Sequence, residues 1–204
     1  MREDRPLAKT IDYYFTPISP WAYLGHQRFV DIAKRHGVHV NVKPVDYGRV
    51  FPASGGLPLA KRPPQRQAYR MMELKRWRAF LGVDLKLQPK FFPTAADPAA
   101  LLIIAADRKE LGALALAGAL MRAVWVEERD IADPETLKAV AREQGRDPAK
   151  LMAAAAEAET KRLYDAYTQE AIDRGVFGAP TYAIDDELFW GQDRLDFVDR
   201  ALAA

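Results

Sequence analysis

The Ser19 hydroxyl is a side chain that could take part in chemistry, and Ser19-Pro20 lies where a predicted strand is followed by a predicted helix. A strand pattern from Lys9 to Phe15 ends just before them, and helical spacing begins at Trp21. The start of a helix presents free N–H groups and a partial positive charge, which together favour an anion. Because a thiolate is such an anion, the Ser19 hydroxyl could donate a hydrogen bond to a thiolate that a ligand carries in. A charge-assisted bond of this kind is worth about 2 kcal/mol, or roughly 1.5 pKa units.

The same corner also has a purely structural explanation, because Ser is a preferred N-cap and Pro is preferred at the first helical position. Thiol oxidoreductases with such a corner carry a Cys there, but this chain has no Cys. Thiol–disulfide oxidoreductase activity, disulfides and thiolate metal sites are therefore excluded. A Ser-His-Asp triad is not favoured either, because His26, His36 and His39 are expected at the surface.

A second candidate is the proline in Gly178-Ala179-Pro180-Thr181, at the entrance to a predicted strand. A proline at a strand start has a structural explanation of its own. If the Ala179–Pro180 bond is cis, the N–H and C=O of Ala179 turn outward beside Ser19. They could then pair with an extended peptide such as glutathione, in the manner of an added strand.

A third candidate is the run Trp190-Gly191-Gln192-Asp193-Arg194, which joins a predicted hairpin to the last helix. Asp193 could simply be an N-cap. Alternatively, Gly191 allows close backbone approach, and Asp193 and Arg194 offer opposite charges at one helix start. That pairing suits a γ-glutamyl group, which carries both an ammonium and a carboxylate.

The segment from Lys61 to Leu81 is rich in Lys and Arg and contains a single acid, Glu73. Its aromatic and apolar residues recur at helical spacings and are expected in the core, which argues against nucleic-acid binding, as does the net charge of +2. A solvated face is one interpretation of the cations, and a rim for a carboxylate substrate, with Lys61 and Arg62 facing the crevice, is another. The cations are Lys61, Arg62, Arg66, Arg70, Lys75, Arg76 and Arg78, and the apolar residues are Tyr69, Met72, Trp77, Phe80 and Leu81.

The elements that must position these candidates follow the order βαβ, a helical block, then ββα. Gly and Pro between Tyr47 and Pro64 predict a loop. The other expected elements are strands at Lys9–Phe15, Val38–Val45, Thr181–Ile184 and Leu188–Trp190, and helices at Trp21–His36, Gln65–Leu81, 98–109, 111–128, 134–144, 148–174 and Asp193–Leu202.

This order predicts an α/β thioredoxin-like fold with a large inserted all-helical domain. The thioredoxin-like domain is expected to be split over 9–64 and 175–204, with the helical insertion at 65–174. The N-terminus shows no apolar stretch typical of a secretory signal, and Leu111 to Met121 is too short for a membrane span. We therefore expect a cytoplasmic protein with no membrane or nucleic-acid partner.

The sequence resembles the 2-hydroxychromene-2-carboxylate isomerase family, which is related to kappa-class glutathione transferases within the DsbA-like thioredoxin superfamily. Three motifs carry the resemblance by their order and spacing, and the likeness spans Ile11 to Ala201. The motifs are Ser19-Pro20-Trp21-Ala22-Tyr23, Val176-Phe177-Gly178-Ala179-Pro180-Thr181 and Phe189-Trp190-Gly191-Gln192-Asp193-Arg194-Leu195.

The resemblance implies a glutathione-dependent enzyme that is usually a homodimer and takes no metal. Ser19 falls on the residue that contacts and activates the glutathione sulfur, and Ala179 on the backbone-pairing residue before a cis proline, here Pro180. The stretch that holds the γ-glutamyl end of glutathione corresponds to Trp190, Gly191, Gln192 and Asp193, with Arg194 beside them. Substrate contacts fall near Lys61, Arg62 and Phe91.

The expected function is cis–trans isomerisation of a small aromatic-derived carboxylate, from 2-hydroxychromene-2-carboxylate to a hydroxybenzylidenepyruvate, in aromatic compound catabolism. The thiolate of bound glutathione would be the nucleophile. One alternative is a kappa-like glutathione transferase or peroxidase that acts on another electrophile and consumes glutathione. Another is a non-catalytic module that binds glutathione or a peptide.

Overall fold

A computed structural model describes residues 9–203. Residues 1–8 lie outside the described residues, so the expectation that no secretory signal is present there stays a prediction; Ala204 also lies outside them. Every helix within residues 9–203 falls short of the length and apolar character that a membrane crossing requires. The same range contains no group of three or more Asp, Glu or His side chains arranged to hold a metal ion.

Four strands of the described chain form one mixed sheet in the order β2-β1-β3-β4. β1 pairs in parallel with β2 and antiparallel with β3, so that Tyr13 lies opposite both Val42 and Tyr182. A tight turn with Asp185 at φ +50° joins β3 to β4. The strands are β1 (Thr10–Phe15), β2 (His39–Pro44), β3 (Thr181–Ile184) and β4 (Glu187–Trp190).

Most of the remaining described chain is helical, and the first helix connects the two parallel strands. Short 3₁₀ turns lie at Leu59–Lys61 and Gln192–Arg194. The helices are α1 (Pro20–His36), α2 (Tyr47–Ser54), α3 (Pro64–Leu81), α4 (Asp97–Arg108), α5 (Ala113–Trp125), α6 (Pro134–Glu143), α7 (Pro148–Ala155), α8 (Ala158–Asp173) and α9 (Leu195–Ala203). The predicted order of strands and helices therefore holds, apart from two differences.

The first difference is α2, because the prediction of a loop from Tyr47 to Pro64 is wrong over its first half. The Asp46 side chain accepts a hydrogen bond from the Gly48 N–H at 2.7 Å and so caps a helix start. Pro52 falls in the last turn, and Gly55 ends the helix at φ +72°. The Pro and Gly residues that predicted a loop instead terminate a short helix.

The second difference is a break in the segment 148–174, which forms α7 and α8. Glu157 adopts an extended backbone between them, although the alanine-rich sequence favours a continuous helix. Arg108 on α4 binds both Glu157 (2.8 Å) and the Thr160 hydroxyl (2.6 Å). This tertiary contact outweighs local helix propensity and fixes the break.

One apolar core runs from the sheet into the helical block. It includes Tyr13 and Phe29 from the βαβ unit together with Leu102, Leu120 and Trp125 from the helices, all fully buried. The inserted helices therefore pack directly against the sheet layer, with α4 and α8 in contact with β2. The domain boundaries at 64/65 and 174/175 stay a prediction.

Helix α3 differs from the expectation that its apolar residues lie in the core. Leu74 is its one fully buried residue, whereas Tyr69, Met72 and Phe80 are 57%, 50% and 78% exposed. Trp77 and Leu81 pack partly against the core, with the remaining apolar face turned to solvent. Helical spacing indicates an apolar face, but it does not say whether the same chain covers that face.

Candidate functional site

Ser19 ends the turn between β1 and α1 and is the N-cap of that helix. Its Oγ accepts a hydrogen bond from the Ala22 N–H at 3.2 Å, and the Tyr23 N–H bonds to the Ser19 carbonyl at 3.0 Å. Pro20 has no N–H. Because Oγ is the acceptor toward Ala22, the hydroxyl proton is available for donation to a ligand.

The Trp21 N–H provides a second donor at the same helix start. Within residues 9–203 the Trp21 N–H has no hydrogen-bond partner, whereas the N–H groups of Ala22 and Tyr23 both bond to Ser19. The first turn of α1 therefore offers one O–H and one N–H, together with the positive end of a 17-residue helix. This arrangement can stabilise an anion about the size of a thiolate.

Two adjoining cavities open beside this corner, with volumes of about 510 Å³ and about 470 Å³. The first cavity lies between α3 and the segment 190–194. The second cavity includes Ser19 and extends between α2 and the start of α4. Both cavities are lined by Trp21, Arg62, Arg70, Ala179 and Trp190.

Ala179 forms part of the wall that the two cavities share, and its bond to Pro180 is cis. The residues on either side are fixed, because the Gly178 carbonyl accepts from the hydroxyls of Tyr47 (2.8 Å) and Thr181 (2.7 Å). The Pro180 carbonyl in turn accepts from the backbone N–H that follows β4. The N–H and C=O of Ala179 make no hydrogen bond within the described chain, so both can pair with an extended ligand.

Trp190 and Gly191 form the edge of the first cavity next to Ala179. The half-exposed Trp190 indole packs on Phe177, with ring centroids 4.7 Å apart, and lies so close over Gly178 that a Cβ there would be 2.1 Å from Nε1. Gly191 has φ +107° and ψ 148°, a conformation almost restricted to glycine. The backbone therefore approaches the cavity without a side chain in the way.

The residues after Gly191 divide into a buried one and an exposed pair. Gln192 is 2% exposed and its Oε1 accepts from Arg28 at 3.0 Å, so it supports the cavity floor. Asp193 and Arg194 pair with each other at 2.9 Å on the cavity side. This exposed pair can exchange its mutual contact for the ammonium and carboxylate of a ligand.

Arginines make the boundary between the cavities positive. Arg62, Arg66 and Arg70 all line the first cavity, and within residues 9–203 none pairs with a carboxylate. Arg70 lies over the Phe92 ring at 5.5 Å. Burial, followed by the charge of Arg62, lowers the pKa of Arg70 to about 10, so the guanidinium stays protonated at neutral pH. A carboxylate ligand would supply the missing counter-charge.

Known proteins resemble this chain over almost its whole length. The model of the DSBA-like thioredoxin domain family matches residues 10–203. The chain belongs to this family. A 2-hydroxychromene-2-carboxylate isomerase of Sphingobium xenophagum is 32% identical over 197 residues, 96% of this chain and 99% of that protein. A glutathione S-transferase kappa 1 of Caenorhabditis elegans is 25% identical, over 95% of this chain and 90% of that protein.

A solved 2-hydroxychromene-2-carboxylate isomerase structure matches 95% of this chain and 94% of its own, with a TM-score of 0.79 and 28% identity. These matches confirm the predicted resemblance and the predicted α/β thioredoxin-like fold with its helical insertion. Within the DSBA-like family, this chain presents Ser19 at the α1 start and contains no Cys.

Most residues singled out from the sequence come together around the two cavities, while Lys61, Phe91 and Pro180 line neither. Lys61 ends an exposed 3₁₀ turn, and Phe91 lies beneath the Lys90 ammonium at 5.0 Å. The neighbouring Phe92 lines the second cavity in its place. The residues brought to the cavities are Ser19, Arg62, Ala179, Trp190, Gly191, Gln192, Asp193 and Arg194.

His26 departs from the expectation of three surface histidines, because it is 6% exposed. Its Nε2 lies 3.0 Å from the Leu114 carbonyl and its Nδ1 lies 3.4 Å from the Tyr13 hydroxyl. Both ring nitrogens are thus directed to the core and away from Ser19. The described chain accordingly brings no histidine to the Ser19 hydroxyl.

Cavity residues that were not singled out as site residues from the sequence include Arg70, Tyr47 and Tyr164. Arg66 and Arg70 are four residues apart on α3, with no acid between them. This spacing predicts two cations on one helix face, and it was the available signal that Arg70 could bind an anion. The two tyrosines reach the second cavity from α2 and α8. Their role depends on the packing of those helices, for which the local sequence carries no signal.

Proposed function

We propose that this protein is a glutathione-dependent isomerase of a small aromatic-derived carboxylate, of the type that interconverts 2-hydroxychromene-2-carboxylate and hydroxybenzylidenepyruvate. The observation that carries the proposal is the convergence of the Ser19 hydroxyl, the Trp21 N–H and the unpaired Ala179 backbone on one cleft. Isomerase relatives at 31–32% identity over nearly the whole chain support the same reaction class.

The residues around the first cavity fit glutathione. The Ala179 backbone would pair with its peptide portion, and Gly191, Asp193 and Arg194 would receive the γ-glutamyl end. When bound, glutathione supplies a thiol that adds reversibly to the open-chain enone of the substrate and so allows the double bond to turn.

The residues of the chain polarise the thiol of glutathione and orient the substrate. The Ser19 hydroxyl donates to the ligand sulfur and lowers its pKa by roughly 1.5 units, and the Trp21 N–H acts in the same direction. Arg62 and Arg70 hold the substrate carboxylate at the boundary of the two cavities. Phe92 lines the second cavity beneath Arg70 and would offer an apolar surface to the aromatic part of the substrate.

Calorimetric titration with glutathione, followed by an ultraviolet isomerisation assay on 2-hydroxychromene-2-carboxylate, tests the proposal. We expect glutathione to bind and turnover to require it, whereas S-methylglutathione should bind and support no turnover. Absence of glutathione binding at millimolar concentration, or isomerisation that is independent of glutathione, would refute the proposal.

Glutathione transfer or peroxidase activity on another electrophile is the second candidate, and the kappa-class relatives favour it. The two activities differ in the fate of glutathione, which an isomerase returns and a transferase or peroxidase consumes. Net loss of free thiol with an electrophile or hydroperoxide, without isomerase turnover, would establish this candidate. Glutathione binding without any turnover that depends on Ser19 would instead identify a non-catalytic module.

We propose in addition that the protein is a cytoplasmic homodimer. On α3, the exposed residues Met72 and Phe80 line neither cavity and form the kind of apolar surface that a second copy would cover. Light scattering should give twice the chain mass of 22.9 kDa, and Phe80→Asp should give the monomer mass. A monomeric wild-type protein would refute this part of the proposal.

A further inference from the structure

The lining of the second cavity includes basic residues that it shares with the first cavity and acidic residues that belong to the second cavity alone. Arg62 and Arg70 belong to the lining shared by both cavities, whereas Asp97 and Tyr164 line the second cavity alone. Asp97 comes from the start of α4 and Tyr164 from α8. A ligand that spans this cavity therefore meets both cations and a carboxylate.

Asp97 is held by a buried phenol. Tyr164 is 5% exposed, and its hydroxyl donates to Asp97 Oδ1 at 2.9 Å. Burial, followed by the charge of Asp97, raises the pKa of Tyr164 well above its usual range, so the phenol keeps its proton and remains a donor. This contact fixes one oxygen of the carboxylate and its side-chain direction.

The other carboxylate oxygen of Asp97 is not committed. Within residues 9–203, Oδ2 makes no hydrogen bond and Asp97 pairs with no Lys or Arg. The second acid that lines this cavity, Asp46, caps α2 by accepting from the Gly48 N–H through Oδ1. Asp97 instead has its bound oxygen fixed by a side chain, the Tyr164 phenol, and its Oδ2 can accept a hydrogen bond from a ligand.

We propose that Asp97, positioned by Tyr164, accepts a hydrogen bond from a hydroxyl of the substrate, so that the second cavity selects hydroxylated aromatic monocarboxylates. This inference rests on the proposed function, which assigns the substrate carboxylate to Arg62 and Arg70. A substrate with a second carboxylate in place of the hydroxyl would oppose the charge of Asp97 and bind poorly. Asp97 would act in specificity, and Tyr164 as a positioning residue.

The test is to measure dissociation constants for three probe acids in the presence of saturating glutathione: 2-hydroxycinnamate, cinnamate and 2-carboxycinnamate. The wild-type protein should bind 2-hydroxycinnamate about tenfold more tightly than cinnamate, which is the usual size of a hydrogen bond to a charged group. It should bind 2-carboxycinnamate most weakly. Asp97→Ala should reduce the hydroxyl preference to within about twofold and improve binding of the dicarboxylate.

Two further variants separate specificity from general damage. Tyr164→Phe should reduce the hydroxyl preference while cinnamate binding changes little, because only the direction of Asp97 is released. Asp165→Asn removes an acid that pairs with Arg49 and Lys161 and lines neither cavity, so it should keep the full preference.

The outcomes distinguish this inference from the proposed function. Equal hydroxyl preference in wild type and Asp97→Ala, or failure of all three acids to bind wild type, would overturn the assignment of Asp97 even if isomerisation is observed. A preference that disappears in Asp97→Ala would support the assignment. Absence of glutathione-dependent isomerisation in the separate assay would then count against the proposed reaction alone.

Discussion

The Ser19 hydroxyl accepts a hydrogen bond from the Ala22 N–H at 3.2 Å, and this contact leaves its proton free for another partner. The structural role of an N-cap and the proposed role of a donor to sulfur are therefore compatible in one side chain, because each uses a different part of the hydroxyl. The sequence left these two explanations as alternatives, whereas the geometry permits both.

Ser19→Ala should raise the thiol pKa of bound glutathione by roughly 1.5 units and lower turnover at neutral pH at least tenfold. Thiolate absorbance near 240 nm, followed against pH, measures the first effect. Loss of the cap should also reduce the free energy of unfolding by about 1 kcal/mol. Ser19→Thr keeps a hydroxyl at this position and should retain most of the pKa shift. An unaltered thiol pKa in Ser19→Ala would contradict the proposed role.

Arg70→Gln should raise KM for the carboxylate substrate at least tenfold and change kcat less, because it removes a charge that faces the boundary of the two cavities. Steady-state kinetics at saturating glutathione measures both constants. Lys75→Gln is the matched control, since it removes a positive charge from an exposed position on the same helix. A similar KM increase in both variants would indicate a long-range electrostatic effect instead of direct contact.

Gly191→Ala should weaken glutathione binding at least tenfold. At φ +107° an alanine is strained, and its Cβ would lie 2.4 Å from Asp193 Oδ1, which displaces the carboxylate expected to receive the γ-glutamyl end. Gly145→Ala is the control, because φ is +70° there and no atom lies within 4 Å of the added Cβ. Gly145→Ala should lose about 1 kcal/mol of stability and Gly191→Ala about 1–3 kcal/mol, but Gly191→Ala alone should lose affinity in calorimetry.

Features encoded by a few adjacent residues were predictable from the sequence. A cap followed by proline gives the start of α1 at Ser19, and the glycine at 191 with its charged neighbours gives the edge of the first cavity. Each of these signals depends on backbone conformations that only certain residues adopt. They predicted the start of α1 and the segment 190–194 that lines one side of the first cavity.

Features that depend on distant packing were not predictable in this way. Arg70 reaches the cavities from α3, which packs against α1, and Tyr164 reaches the second cavity from α8, which begins after the break at Glu157. The apolar spacing of α3 was correct as a pattern, yet Phe80 faces solvent. Such placements follow from contacts between residues that are far apart in sequence, which no local pattern records.

His26 provides a prediction on the pH dependence of stability. Burial lowers the pKa of His26 to about 4, and the contact with the Leu114 carbonyl only partly opposes that effect. The unfolded chain binds this proton near pH 6.5, well before the folded protein does. Its contribution to stability is therefore complete above about pH 6.5 and is lost as the pH falls toward about 4, by up to about 3 kcal/mol.

Urea unfolding at pH values between about 7.5 and about 4.5 measures this loss, which has to be compared among variants because carboxylates also titrate in the lower part of the range. His26→Gln should reduce stability near neutral pH, since it disturbs a buried side chain that contacts Tyr13 and Leu114, but its stability should fall less steeply with acid. His39→Gln alters an exposed histidine and should keep the wild-type slope. Identical slopes in wild type and His26→Gln would mean that His26 is not the group whose protonation destabilises the fold.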